Sequence, residues 1–378
     1  MDPQIGLMRV QAWQSRRLAA PIGTPLAGAA VVLDVATSQV LAAVSVPSRE
    51  AAEHMSPQQR AVYEPYVFRP TQRFYPLGST VKPLLLAAAV TTGKLRHDET
   101  IVCHGYLGYG KPWGDPTKLR CWIFQAPWHS THGRLTGPDA IMQSCNVFFF
   151  TLGQRMGSRG MTHWLDRFGL GRPTHCGLDG ESAGILPPLN APEVPNQGIM
   201  MGIGQGPVEW TPIQAVGAYA ALARGGYYIS PTFFLDPATD HHHESYDLEL
   251  DPVGVRQAFE GMSKVVNDRR GSGNHLSLMH GEPIFNIHGV HLYGKSGTAT
   301  AKPLRRPIDD NHDGLPDRWG EVLRTGNHAW FVAMAQKPQS QRPDYVIAVV
   351  VEYGGSGGNA AGPIANQILH AMRAEGYL

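Results

Sequence analysis

Residues 74–92 read FYPLGSTVKPLLLAAAVTT, and the fold turns on where the helix inside this stretch begins. The apolar run predicts a helix over about 80–92, closed by Gly93. Pro83 fits only if that helix has just started, because proline is tolerated in a first turn and breaks an interior one. Ser79 and Lys82 then sit at the helix start, three residues apart on one face, where a hydroxyl and an amine can meet. A helix N-terminus with apolar walls disfavours an ammonium ion. A lysine of lowered pKa beside a serine is a workable base for a nucleophile. Taken alone, S-x-x-K is a commonplace spacing that would equally suit a helix cap followed by a solvated lysine.

Two further stretches change that balance. Ser144-Cys145-Asn146 separates helical patterns at about 137–143 and 147–156. A hydroxyl and a carboxamide two residues apart can project into one cleft, the first relaying a proton and the second holding a peptide. The same three residues would also serve as a C-cap and N-cap pair. Tyr293 to Thr298, YGKSGT, ends a β-rich run at 288–294. Gly297 there would leave room for a ligand along the strand. Lys295 and Thr298 would offer it a cation and a hydroxyl. Each feature is weak by itself, whereas the ordered set S-x-x-K, S-x-N, K-S-G-T is specific.

Around these motifs, residues 27–46 read as two β-branched runs flanking Ala36-Thr37-Ser38-Gln39, a strand pair. Residues 48–75 show no period and read as a surface excursion. Helices are predicted at 211–224, 252–267 and 361–375, and strands at 328–336 and 345–353. Strands at both ends with helices between predict one α/β domain over 27–378, preceded by an arm at 1–26. With 32 Lys+Arg against 31 Asp+Glu, the net charge of +1 excludes nucleic-acid binding by bulk field. Neither a signal peptide nor a run long enough to span a membrane is visible.

The chain resembles the transpeptidase domain of class B penicillin-binding proteins, closest to the elongation type. The likeness covers GAAVVLDVATSQVLAAVS at 28–45 and FYPLGSTVKP at 74–83. It continues through HGRLTGPDAIMQSCNVFFF at 132–150, GIGQGPVEWTPIQ at 202–214, HAWFVAMAQ at 328–336 and VVVEYGGSGGNAAGPIANQIL at 349–369. It implies an α+β penicillin-recognising fold, an antiparallel sheet with helices on both faces, shared with serine β-lactamases. The implied reaction is acyl transfer from D-Ala-D-Ala stem peptides, with β-lactams acylating the same serine. Ser79 would be the nucleophile, Lys82 its base and Ser144 the proton relay. Asn146, Lys295, Ser296, Gly297, Thr298 and Thr300 would bind substrate. A β-lactam sensor, a serine β-lactamase or a D,D-carboxypeptidase would be the alternatives on this fold. The resemblance further implies an envelope location and partners among wall-elongation glycosyltransferases and scaffold proteins. Family members usually carry a membrane anchor and a pedestal domain ahead of this region; here about 26 residues precede it.

No cofactor is required by this chemistry, but two segments have metal-ligand character. Asp309, Asn311, Asp313 and Asp317 place oxygens at alternate positions of an acidic turn, with Gly314 at the sixth, in the manner of a Ca²⁺ loop. Glycine stands at its twelfth position, where a bidentate glutamate is expected. Cys103, Cys121, His129, His132 and Cys145 form a second, zinc-competent set. A Cys103–Cys121 disulfide in an oxidising envelope and plain buried thiols are the competing readings of those cysteines.

Overall fold

The computed structural model describes residues 27–234, 244–276, 281–311 and 317–378. The arm at 1–26 and one predicted calcium ligand, Asp313, lie outside them.

The strand pair forms as expected, β1 (Gly28–Asp34) against β2 (Val40–Val46). The apolar run after Pro83 is α1 (Lys82–Thr91), entered through a 3₁₀ turn over Gly78–Val81. Every residue of α1 from Lys82 to Val90 is buried, which suits a helix apolar on all sides. Next come α2 (Gly137–Met142), α3 (Asn146–Arg167), α4 (Pro212–Ala223) and α5 (Pro252–Asn267). The C-terminal third supplies β3 (His291–Thr300), a hairpin of β4 (Leu304–Ile308) and β5 (Arg318–Arg324), then β6 (Asn327–Gln336), β7 (Tyr345–Val351) and α6 (Gly357–Ala374).

Five strands make one antiparallel sheet in the order β2-β1-β7-β6-β3. Its period of two sorts the central strand between two cores. Val346, Ala348 and Val350 join Val31 and Leu33 in the cluster that holds α1 and α4. Ile347, Val349 and Val351 join Phe331 and Ala333 against Ala361, Ala365 and Leu369 of α6. Helices therefore cover both faces, and β7 reads as an unbroken apolar run because neither face meets water.

Three expectations are corrected. The 48–75 excursion is not merely surface: Arg69, Thr71 and Tyr75 are buried, and short helices occupy Pro57–Tyr63 and Arg69–Gln72. The β-rich run does not end at Gly294, because β3 continues through the whole K-S-G-T motif. Helix α3 extends well past 156, kinking at Gly157, where φ is +70°. The T-P-I-Q segment starts α4 with a capping box: Thr211 Oγ1 accepts the Gln214 N–H, and Gln214 Oε1 accepts the Thr211 N–H.

Candidate active site

The turn carrying Ser79 is pinned from three sides. Gly78 adopts φ +55° and donates its N–H to the Gly204 carbonyl at 2.9 Å. A Cβ at Gly204, itself at φ +67°, would stand 2.2 Å from the Gly78 oxygen, so only glycine permits this approach. The Tyr219 hydroxyl of α4 donates to the Thr80 carbonyl at 2.6 Å. Trp330 Nε1 of β6 donates to the Pro76 carbonyl at 3.1 Å. On the sheet side, Gly297 of β3 packs against the turn: a Cβ there would meet Thr80 Cγ2 at 2.8 Å and Trp330 Cβ at 2.9 Å. This revises the role predicted for Gly297. It lets the strand close on the Ser79 turn.

Lys82 is fully buried, and its Nζ donates to the Ser144 carbonyl (2.9 Å), Ser144 Oγ (3.2 Å) and Asn146 Oδ1 (2.9 Å). The amine thus reaches the second motif, and none of these three bonds goes to Ser79. Burial pushes it down to about 8, against an opposing pull from Cys121 and Cys145. Lys295 is equally buried and donates to Ser144 Oγ at 3.0 Å and to the Ser296 carbonyl at 2.9 Å. Burial, and then the neighbouring Lys82, hold it well below the ordinary lysine range. Ser144 Oγ therefore accepts from both amines while its backbone sits at φ +53°, a strained conformation for serine. Two amines meeting at one hydroxyl form an arrangement through which a proton can pass.

Ser79 is partly exposed, and Thr298 and Thr300 are exposed on β3. The Thr298 carbonyl lies 3.0 Å from where a Gly78 Cβ would stand, so β3 packs directly against the turn that carries Ser79. Sequence reasoning missed Tyr219 and Gly204. A tyrosine inside the small apolar helix 212–223 was a usable signal for Tyr219, because a buried phenol needs a partner.

Directly behind the second motif lies a cluster of Cys103, Cys121, His132 and Cys145, whose donor atoms all fall within 4.8 Å of one another. The four cysteines are free thiols, so the Cys103–Cys121 disulfide is not formed. Of the five candidates the cluster takes four and leaves out His129. The His129 ring packs against Phe124 instead, with centroids 4.8 Å apart. Cys121 Sγ is 3.8 Å from Cys145 Sγ and 3.3 Å from His132 Nδ1. Tetrahedral zinc with Zn–S bonds of about 2.3 Å requires S–S edges of about 3.8 Å, so the donor set fits that ion. Hydrogen bonds with Cys103 and Cys145 hold the Cys121 thiol far below its usual range, while burial pushes Cys145 up. His132 Nε2 is buried without a hydrogen-bond partner. Asn146 N–H donates to Cys121 Sγ at 3.3 Å, and Asn146 Nδ2 to the Arg120 carbonyl at 3.4 Å, which joins the cluster to the motif. Of the predicted calcium set, Asp317 uses both carboxylate oxygens on the N–H groups of Asp310 and Asn311 and the Asn311 side chain.

A buried lysine chain under a serine turn, closed by an edge strand of an antiparallel sheet with helices on both faces, is the layout of the penicillin-recognising fold. The model of the penicillin binding protein transpeptidase domain matches residues 28–370, and the chain belongs to that family. It is 29% identical over 367 residues to peptidoglycan D,D-transpeptidase MrdA of Haemophilus influenzae, covering 91% of this chain and 52% of that protein. With the protein of that name from Escherichia coli K12 it shares 29% identity over 377 residues, covering 93% and 56%. The chain thus spans about half the length of these curated relatives. Among solved structures, penicillin-binding protein PBP2 of Pseudomonas aeruginosa superposes with TM-score 0.69 at 24% identity, covering 96% of this chain and 73% of that one. PBP2 of Helicobacter pylori, solved in complex with MreC, superposes with TM-score 0.71 at 21% identity, covering 98% and 63%. These two confirm the fold.

Proposed function

We propose that this chain is a peptidoglycan D,D-transpeptidase acting on D-Ala-D-Ala stem peptides through an acyl-enzyme at Ser79. The observation that carries the reading is the Lys82–Ser144–Lys295 chain of hydrogen bonds beside the pinned serine turn. Ser79 attacks the penultimate D-Ala carbonyl, forming the ester and giving its proton to neutral Lys82. Ser144 passes a proton to the departing D-Ala nitrogen as the peptide bond breaks. Lys295, Ser296, Thr298 and Thr300 face the terminal carboxylate, and Asn146 orients the donor peptide. The N–H groups of Ser79 and Thr298 stabilise the oxyanion. An amine of a second stem then attacks the ester and Ser79 regains its proton. The transpeptidase name of the sequence relatives favours this reading over a sensor or a β-lactamase.

Incubation with a D-Ala-D-Ala stem pentapeptide and an amine acceptor tests it. Cross-linked product with one D-Ala released per bond is expected. Hydrolysed tetrapeptide alone would favour a carboxypeptidase, and an adduct without turnover would favour a sensor.

The reading carries three subordinate proposals. Its place of action is the cell envelope. Its partners are a lipid-linked glycan polymerase and a scaffold protein, a view supported by the PBP2–MreC complex and by the fold likeness to a peptidoglycan synthase complex. Co-purification of such proteins with the full-length gene product tests this, and their absence from the purified complex opposes it. Cys103, Cys121, His132 and Cys145 hold a structural zinc ion, whose role is to fix the backbone on either side of Cys145. Elemental analysis is expected to find one zinc per chain, retained in His129→Ala and lost in Cys121→Ser. A zinc-free, fully folded wild type would oppose it.

A further inference from the structure

The loop that follows α5 touches both halves of the cleft. Ser272 donates its backbone N–H to the Met142 carbonyl at 3.0 Å, two residues before Ser144. Its hydroxyl lies 2.9 Å from Ser296 Oγ, inside the K-S-G-T strand. The loop is firmly held. Gly273 N–H donates to the Val265 carbonyl at 3.1 Å, and Asn274 Nδ2 to the Val266 carbonyl at 2.7 Å. One residue outside the three motifs therefore links the end of α2, just ahead of the second motif, to the third.

The chemistry of paired hydroxyls gives this contact a consequence. A hydroxyl has one proton and two lone pairs. When Ser272 donates to Ser296 Oγ, the Ser296 proton is free to point at an acceptor in the cleft, and the donated bond polarises it. We propose that Ser272 is a positioning residue for the carboxylate of the acyl donor, orienting the Ser296 hydroxyl toward it. The inference rests on the acyl-transfer reading above.

The discriminating probes are a penicillin carrying its free carboxylate and the methyl ester of the same penicillin. Acylation of each is followed by intact mass on wild type, Ser272→Ala, Ser272→Thr and Ser79→Ala. Loss of one neutral hydrogen bond predicts a roughly three- to tenfold slower reaction of Ser272→Ala with the free acid. Its reaction with the ester is expected to match wild type, and Ser272→Thr, which keeps the hydroxyl, to restore the free-acid rate. Equal slowing with both probes would mean a merely structural loop and would overturn the inference, as would no slowing at all. Failure of wild type to form an adduct, or an adduct that persists in Ser79→Ala, would overturn the acyl-transfer reading and this inference with it.

Discussion

Breaking the buried Arg69–Glu352 ion pair should unfold the protein more readily, with a pH signature that identifies which charge has been stranded. Arg69 Nε lies 2.8 Å from Glu352 Oε1, and both side chains are almost sealed from solvent. Tyr75 donates to the same carboxylate oxygen at 2.9 Å, and Arg69 also donates to the Tyr63 and Glu64 carbonyls. Burial alone would push the Glu352 carboxyl up, but Arg69 and Arg73 hold it below its usual range. A carboxyl so depressed stabilises the fold above its unfolded pKa, and the contribution disappears as pH falls through the folded value. Removing one partner of a buried pair costs about 3–5 kcal/mol, because the other charge is left uncompensated. Glu352→Gln strands a guanidinium that cannot deprotonate, so its cost should be the same at pH 5 and pH 8. Arg69→Met instead strands a carboxylate that can take up a proton. Its cost should be smaller at pH 5 and grow toward pH 8. Urea unfolding at the two pH values measures both. Losses under about 1 kcal/mol, the range of an exposed pair, would refute the reasoning. So would an Arg69→Met penalty that does not grow with pH.

Two more outcomes follow from the site. With Lys82 held at about 8 by burial, its neutral fraction rises with pH, so the rate of acylation by penicillin should climb about tenfold per unit below pH 8 and level off above. A flat profile between pH 6 and 8 would remove Lys82 from the role of base. Gly204→Ala should slow acylation roughly a hundredfold by displacing the Ser79 turn. Gly93→Ala has nearly the same φ, +66°, with nothing within 4 Å of its Cβ position, and should leave acylation unchanged. Equal effects at the two glycines would mean that backbone strain, not the clash with Gly78, is what matters.

The legibility of the chain follows from which forces are local. The sheet could be read because β1, β6 and β7 are long apolar runs whose burial pattern is carried by their own residues. The three motifs could be read because each is short and contiguous, and their order made them specific. Non-local partners could not be read. Lys82 was expected to meet Ser79, its neighbour on the helix, yet its bonds go to Ser144 and Asn146, more than sixty positions away. The choice of Cys145 over His129 depends on how α3 begins, which ligand spacing alone does not encode. Arg69 looked like part of an unpatterned excursion because its counter-ion, Glu352, lies at the far end of the chain.

The central claim is that Ser79 is an acylated nucleophile in a cleft assembled by Lys82, Ser144 and Lys295. Intact-mass analysis after incubation with a penicillin, on wild type and on Ser79→Ala, tests it most directly. The account predicts a gain of one drug mass on wild type, lasting for hours, and none on Ser79→Ala. An adduct of equal yield on both proteins, or on neither, would contradict it.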